Sequence, residues 1–258
     1  MSDDSAPAVG LHTEERRGIA EDLRILALLH DREPTAELIG SLRDSGVETL
    51  FALPLGDEWG REALEFFGSA LSEGTTPTDR AGLDELAADH AAIYLTHTHR
   101  VSPSESPWID PEGLFSQQPM FDVRDWYRHW GLETPNWRER PDDHLVVQLG
   151  FLAHLMEAVE SAAGPVDAAR FLDRHLLRWY GSFAEGVKKR CWTAYWAAVA
   201  NLTDAYLASL RERLSQVPGG ERVVYEPIDA EKERQRQASA AETCASAEAF
   251  VPGAGPSW

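Results

Sequence analysis

Apolar and polar residues follow one another with a helical period along most of this chain, and the clearest stretch is residues 139–156, E-R-P-D-D-H-L-V-V-Q-L-G-F-L-A-H-L-M. Leu145, Leu149, Leu152, Met156 and Val159 recur at intervals of three and four, as one apolar stripe of a strongly amphipathic helix does. Pro141 suits the first helical turn, where its missing N–H costs nothing. Asp142 and Asp143 fall in that same turn, where free N–H groups and the helix dipole favour carboxylates. Gly164 with Pro165 reads as the stop. His144 completes an acidic helix entrance, and a functional site is expected there.

The same period predicts the neighbouring elements. Thr13 is placed to cap a helix that starts at Glu14-Glu15 and buries Ile19, Leu23, Leu26 and Ala27. Pro34-Thr35 opens a second with Leu38, Ile39 and Leu42 inward, and a third spans residues 57–71. Helical spacing returns from Leu83 to Tyr94, over residues 120–130 with Gly131 as the stop, on the stripe Leu172, Leu176, Trp179 and Phe183, and over residues 190–214 with Trp192, Tyr195 and Trp196 inward. No segment alternates as a half-buried strand does, and no Asn-Gly hairpin turn appears. The expected fold is all-α, a single-domain bundle of about eight to ten helices over residues 13–216. Residues 1–12 are expected to be a flexible terminus. Residues 217–258 are expected to be a largely flexible tail, with Val223-Val224-Tyr225 docking locally. Between residues 96 and 119 the period breaks at a proline-rich loop that carries Trp108, and loops of that length inside a compact domain are often functional.

Charge narrows the partners. The 258 residues carry a net charge of −19, which would repel nucleic acid and anionic membrane. Of 24 basic residues only Lys188, Lys189 and Lys232 are lysines, a bias expected of a salt-adapted or high-GC organism. An acidic surface that recruits a basic ligand is the other reading. Cys191 and Cys244 have no ligand-spaced neighbour, so neither a disulfide framework nor a zinc site is expected. Arg16-Arg17 is followed by Glu21, Asp22 and Arg24, where an export signal needs an uncharged apolar core, so this stretch reads as helix and the protein as cytoplasmic, with no stable membrane insertion.

Chemistry offers two directions. His97 and His99, with Asp142, Asp143 and His144, could assemble a metal-dependent hydrolase site, although H-X-H without further ligands at diagnostic spacing is weak. His90, His154 and His175 lie on helical stripes and read as packing residues. The other direction comes from four motifs in order: S-P-S-E-S-P-W-I-D (residues 102–110), W-Y-R-H-W-G (126–131), the E-R-P-D-D-H helix entrance, and F-L-D-R-H-L-L-R-W (171–179). Together, over about residues 83–214, the chain resembles the TorD/DmsD/NarJ-type redox-enzyme maturation chaperones. Ser104 and Pro107 stand where relatives often carry an aromatic or branched residue.

The resemblance implies a cytoplasmic, all-helical chaperone without catalytic activity or cofactor. Such a protein binds the twin-arginine signal peptide and apo form of a molybdopterin oxidoreductase catalytic subunit, of the dimethyl-sulfoxide-reductase superfamily, and delays export until cofactor insertion. The cofactor-insertion machinery and the twin-arginine translocase are further partners it implies. By motif position, Asp143 and His144 match the family's paired D-H, Asp142 its polar neighbour, and Trp108 its loop aromatic. A receptor for two arginines followed by an apolar stretch needs carboxylates beside an exposed apolar groove. Glu105, Glu139, Asp142 and Asp143 are the expected carboxylates. Trp108, Phe115 and Trp137 are the expected groove, with Pro141 and His144 beside it; the alternative for Asp143 and His144 is that they only cap the helix and lock the loop to it.

Overall fold

Helix follows helix throughout residues 10–96, 99, 101–229, 232 and 234, the part of the chain that the computed structural model describes. In order these are α1 (Thr13–Asp31), α2 (Ala36–Ser45), α3 (Glu58–Leu71), α4 (Arg80–His90), α5 (Ser106–Ile109), α6 (Gln118–His129), α7 (Leu145–Glu157), α8 (Ala163–Phe171), α9 (Leu177–Arg190) and α10 (Ala194–Ser215). A π-helical turn, Ala91–Leu95, prolongs α4, and another, Leu172–Leu176, joins α8 to α9. Among the described residues the one isolated β-bridge pairs Ser104 with His144. The fold is an all-α bundle.

Local chemistry sets several starts as the periodicity expects. Thr35, Asp57 and Asp79 each accept a hydrogen bond from a backbone N–H three residues on, and so cap α2, α3 and α4. The α6 helix stops at a left-handed Gly131 (φ 71°).

At α7 the boundaries differ from expectation at both ends. The helix begins at Leu145 rather than Pro141, because Pro141, Asp142 and Asp143 form a turn whose polar groups are used elsewhere. His144 is the cap: its Nδ1 accepts from Val146 N–H at 3.2 Å, and Leu145 N–H donates to the Pro103 carbonyl at 2.7 Å. The helix ends at Glu157, and Gly164 and Pro165 belong to α8 instead. What receives the end of α7 is Arg16, from α1. Its guanidinium donates to the carbonyls of Leu155, Met156, Ala158, Val159 and Ser161 at 2.6–3.3 Å. A cation at a helix C-terminus satisfies both the orphan carbonyls and the dipole. Gly164 is glycine for the same reason, since a Cβ there would stand 2.3 Å from the Leu155 carbonyl oxygen and 2.9 Å from Arg16.

The α7 helix also lacks a single stripe. Leu145, Gln148, Leu149, Phe151, Leu152, Ala153, Leu155 and Met156 are all buried, because α1 packs along one flank and α8 along another. Helix α10 packs against α9 and α3 and buries Tyr195, Trp196, Tyr206 and Leu210. Its start is held from α4: Asp89 accepts from the N–H groups of Trp192 and Thr193 and from the Thr193 hydroxyl at 2.7–3.1 Å. Trp192, expected on the buried stripe, therefore precedes the helix and is 71% exposed. Beyond α10 the Val223 N–H donates to Asp173, itself paired with buried Arg211, which docks the Val223–Tyr225 stretch on the bundle. Cys244 and residues 1–9 lie outside the described residues.

Candidate functional site

The four motifs of the sequence meet at one place, where the loop before α5 crosses the turn before α7. Asp143 accepts from the backbone N–H and the hydroxyl of Ser106 at 2.8 and 2.5 Å. Glu105 N–H donates to the Asp143 carbonyl at 3.1 Å. Gln148, one turn into α7, donates to that carbonyl and to the Glu105 carboxylate at 2.9 and 3.0 Å. Glu105 also faces His175 Nδ1 at 3.0 Å. Asp142 takes a two-pronged contact from Arg124 of α6 at 2.7 and 2.9 Å, while the Tyr127 hydroxyl donates to its carbonyl. Burial pushes the Asp143 carboxyl above its ordinary pKa; the Ser106 hydrogen bonds oppose this and the charge of Glu105 adds to it.

This arrangement corrects the expected roles. Glu105, Asp142 and Asp143 are 2%, 2% and 0% exposed, so they are not free carboxylates at the mouth of a groove. A buried carboxylate needs partners, and each of these finds them inside the protein. They lock loop to helix. His144 is the helix cap, and Trp108 turns inward, packing against the core with its indole N–H on the Ser102 carbonyl at 2.8 Å. Pro141 is half-buried in the turn. Of the expected groove residues, Phe115 and Trp137 face solvent, 46% and 44% exposed. The Arg124 guanidinium lies 5.2 Å from the Trp137 ring and 5.3 Å from that of Phe121.

Beside the lock, on the open side of α7, lies a cleft of about 520 Å³. Tyr127, Leu132, Val147 and Phe151 form its apolar floor, and Glu133 and Glu139 stand exposed on its rim. Neither rim carboxylate pairs with a cation among the described residues. Among the described residues that line the cleft the one cation, Arg140, is held by Asp31 at 2.6 Å. Of the four expected carboxylates Glu139 lines this cleft, whereas buried Glu105 and Asp142 border smaller ones of about 240 and 180 Å³. Glu133, Val147 and Gly150 escaped the sequence reading, because a loop glutamate or a helical glycine carries no motif of its own.

The residues of the metal alternative that are described do not converge on one point. His99 is buried with Nε2 on Asp89 at 3.0 Å, the same carboxylate that holds the start of α10. His97 lies outside the described residues. Among the described residues no three His, Cys, Asp or Glu side chains converge as metal ligands would. His175 packs as expected, with its ring against Phe171 and Trp126.

Residues 57–185, which run from the cap of α3 into α9 and include both lock and cleft, match the family model described as nitrate reductase delta subunit. The chain belongs to this family. Several similar relatives are called chaperone protein TorD. The one from Vibrio cholerae is 29% identical over 141 residues, 52% of this chain and 64% of the relative. That of Photobacterium profundum is 27% identical over 154 residues, 57% of this chain and 70% of the relative. That of Shewanella oneidensis is 30% identical over 141 residues, 51% and 62% respectively. The chain thus spans somewhat under two thirds of the Vibrio and Shewanella proteins. In this family member no described helix is long and apolar enough to cross a membrane.

Proposed function

We propose that this protein is a non-catalytic assembly chaperone for a redox enzyme, cytoplasmic in location, and that it binds the twin-arginine leader and apo form of a molybdopterin oxidoreductase catalytic subunit, delaying export until the cofactor is inserted. Membership of a family whose matched relatives are called chaperones supports the general role. The observation that carries the binding mode is the cleft: two unpaired carboxylates, Glu133 and Glu139, on the rim of an apolar floor. Arginine forks suit carboxylates, and the apolar stretch that follows them suits Leu132, Val147 and Phe151. Exposed Trp137 and Phe115 extend the apolar contact surface. Glu105, Asp142, Asp143, His144, Pro141 and Trp108 act one step back, fixing the turn from which the cleft wall rises.

The test is titration of a synthetic twin-arginine leader peptide into the full chain, followed calorimetrically. The expected affinity is micromolar or better, which corresponds to about −8 kcal/mol. The double variant Glu133→Gln/Glu139→Gln is expected to bind about tenfold or more weakly, and so is a peptide with lysines in place of both arginines. Equal binding in all three titrations would overturn the site.

A further inference from the structure

A glycine inside a helix costs stability, so each one raises the question of what it makes room for. In Gly18, Gly82, Gly164 and Gly186 the answer is the protein itself: a Cβ would stand 2.6, 2.2, 2.3 and 2.4 Å from its nearest neighbour. Like Gly40 of α2, Gly150 in the middle of α7 is different. It is exposed, and a Cβ there would meet nothing within 4 Å. It also lines the cleft, one turn after Val147 and next to Phe151.

We infer that Gly150 is the position that sets specificity in this cleft: its missing side chain opens a slot that receives an apolar side chain following the arginine pair of the bound leader. The inference rests on the leader-binding reading above. Residues three and four apart share a helix face, so Val147, Gly150 and Phe151 form one contiguous patch, and the glycine is the depression in it. On the rim above stand Glu133 and Glu139, so a ligand anchored by cations on the rim lies with its apolar part across the slot. Nothing in the bundle's own packing requires the glycine, and a filled slot would present a bump to any ligand on that floor.

The experiment measures binding of a set of leader peptides to the full chain and to Gly150→Ala, Gly150→Leu and, as control, Gly40→Leu on α2, where a Cβ also meets nothing within 4 Å. The parent peptide carries leucines after the arginine pair; each of the others has alanine at one of those positions. Gly150→Leu is expected to bind the leucine peptide about tenfold more weakly than the wild type and to recover most of that loss with one alanine peptide. Gly40→Leu is expected to bind as the wild type does. Thermal melting accompanies the titrations, and Gly150→Ala is expected to melt about 2 °C higher, as a glycine not needed by the fold should. Unchanged binding in Gly150→Leu, an equal loss with every peptide, or a lower melting temperature for Gly150→Ala would overturn the assignment while leaving the leader reading in place. If the wild-type chain binds no leader at all, both fall together.

Discussion

Arg16 shows how a single side chain can hold two distant parts of the chain. It is 5% exposed and donates to five carbonyls that lie 139–145 residues away. Arg16→Ala would leave those carbonyls buried and unpaired, and is expected to cost about 3 kcal/mol in urea unfolding. Arg16→Lys is expected to rescue little, since one ammonium cannot span the fan of acceptors. The sequence placed Arg16 correctly on a helix; its role was invisible because its partners are on α7 and the turn after it. His30 is another buried polar group of α1, between the Tyr94 hydroxyl (2.5 Å) and the Thr203 hydroxyl (2.9 Å). Burial pushes its pKa down to about 3, against an ordinary 6.5. The unfolded chain therefore takes up a proton at pH values where folded His30 does not, and this residue makes stability fall as pH drops from about 6.5 toward 3. Urea titrations of the wild type and His30→Gln should show their stability gap narrowing over that range. A gap independent of pH would contradict the assignment.

Helices were legible from periodicity, as were the locally capped starts of α2 and α3 and the Gly131 stop of α6, but the ends of α7 and the start of α10 were not, because those are settled between elements. Asp89 of α4 starts α10, Arg16 of α1 finishes α7, and the Pro103 carbonyl receives the first N–H of α7. None of these partners is near in sequence. The lock at α5–α7 follows the same logic. Its residues were read from motif order, and their side chains were expected to face a ligand, whereas burial turns them onto one another. Asp143→Ala removes the acceptor for two Ser106 donors and is expected to cost about 2 kcal/mol. Hydrogen exchange should then quicken across residues 101–109 before it does in α10. If Asp143→Ala instead kept full stability while losing leader affinity, the locking role would be wrong.

Across the whole molecule the dominant quantity is the net charge of −19, in a chain whose helical core is apolar and aromatic. Self-repulsion of that size opposes compaction and is relieved by salt, as the Debye length shrinks from about 30 Å at 0.01 M to about 3 Å at 1 M. Melting temperature is therefore expected to rise through that series, while leader affinity, which uses carboxylate–arginine attraction at an exposed rim, is expected to fall. Parallel rather than opposed trends would remove electrostatics from the binding account. The acidity was plain in the sequence; which acids remain free was not, because that depends on which of them the fold encloses.

The contact from Arg16 to residues 155–161 has a further outcome for biosynthesis and for dissection of this chain. A ribosome delivers α1 long before the segment it must close has been made, so the first helix waits, its guanidinium hydrated, until α7 and the following turn emerge. A piece trimmed to residues 57–185, the stretch that identifies the family, would carry the cleft but neither this clasp nor α10. Such a piece would have lost its keystone, and the recognisable portion of the protein is expected to unfold when cut out by itself.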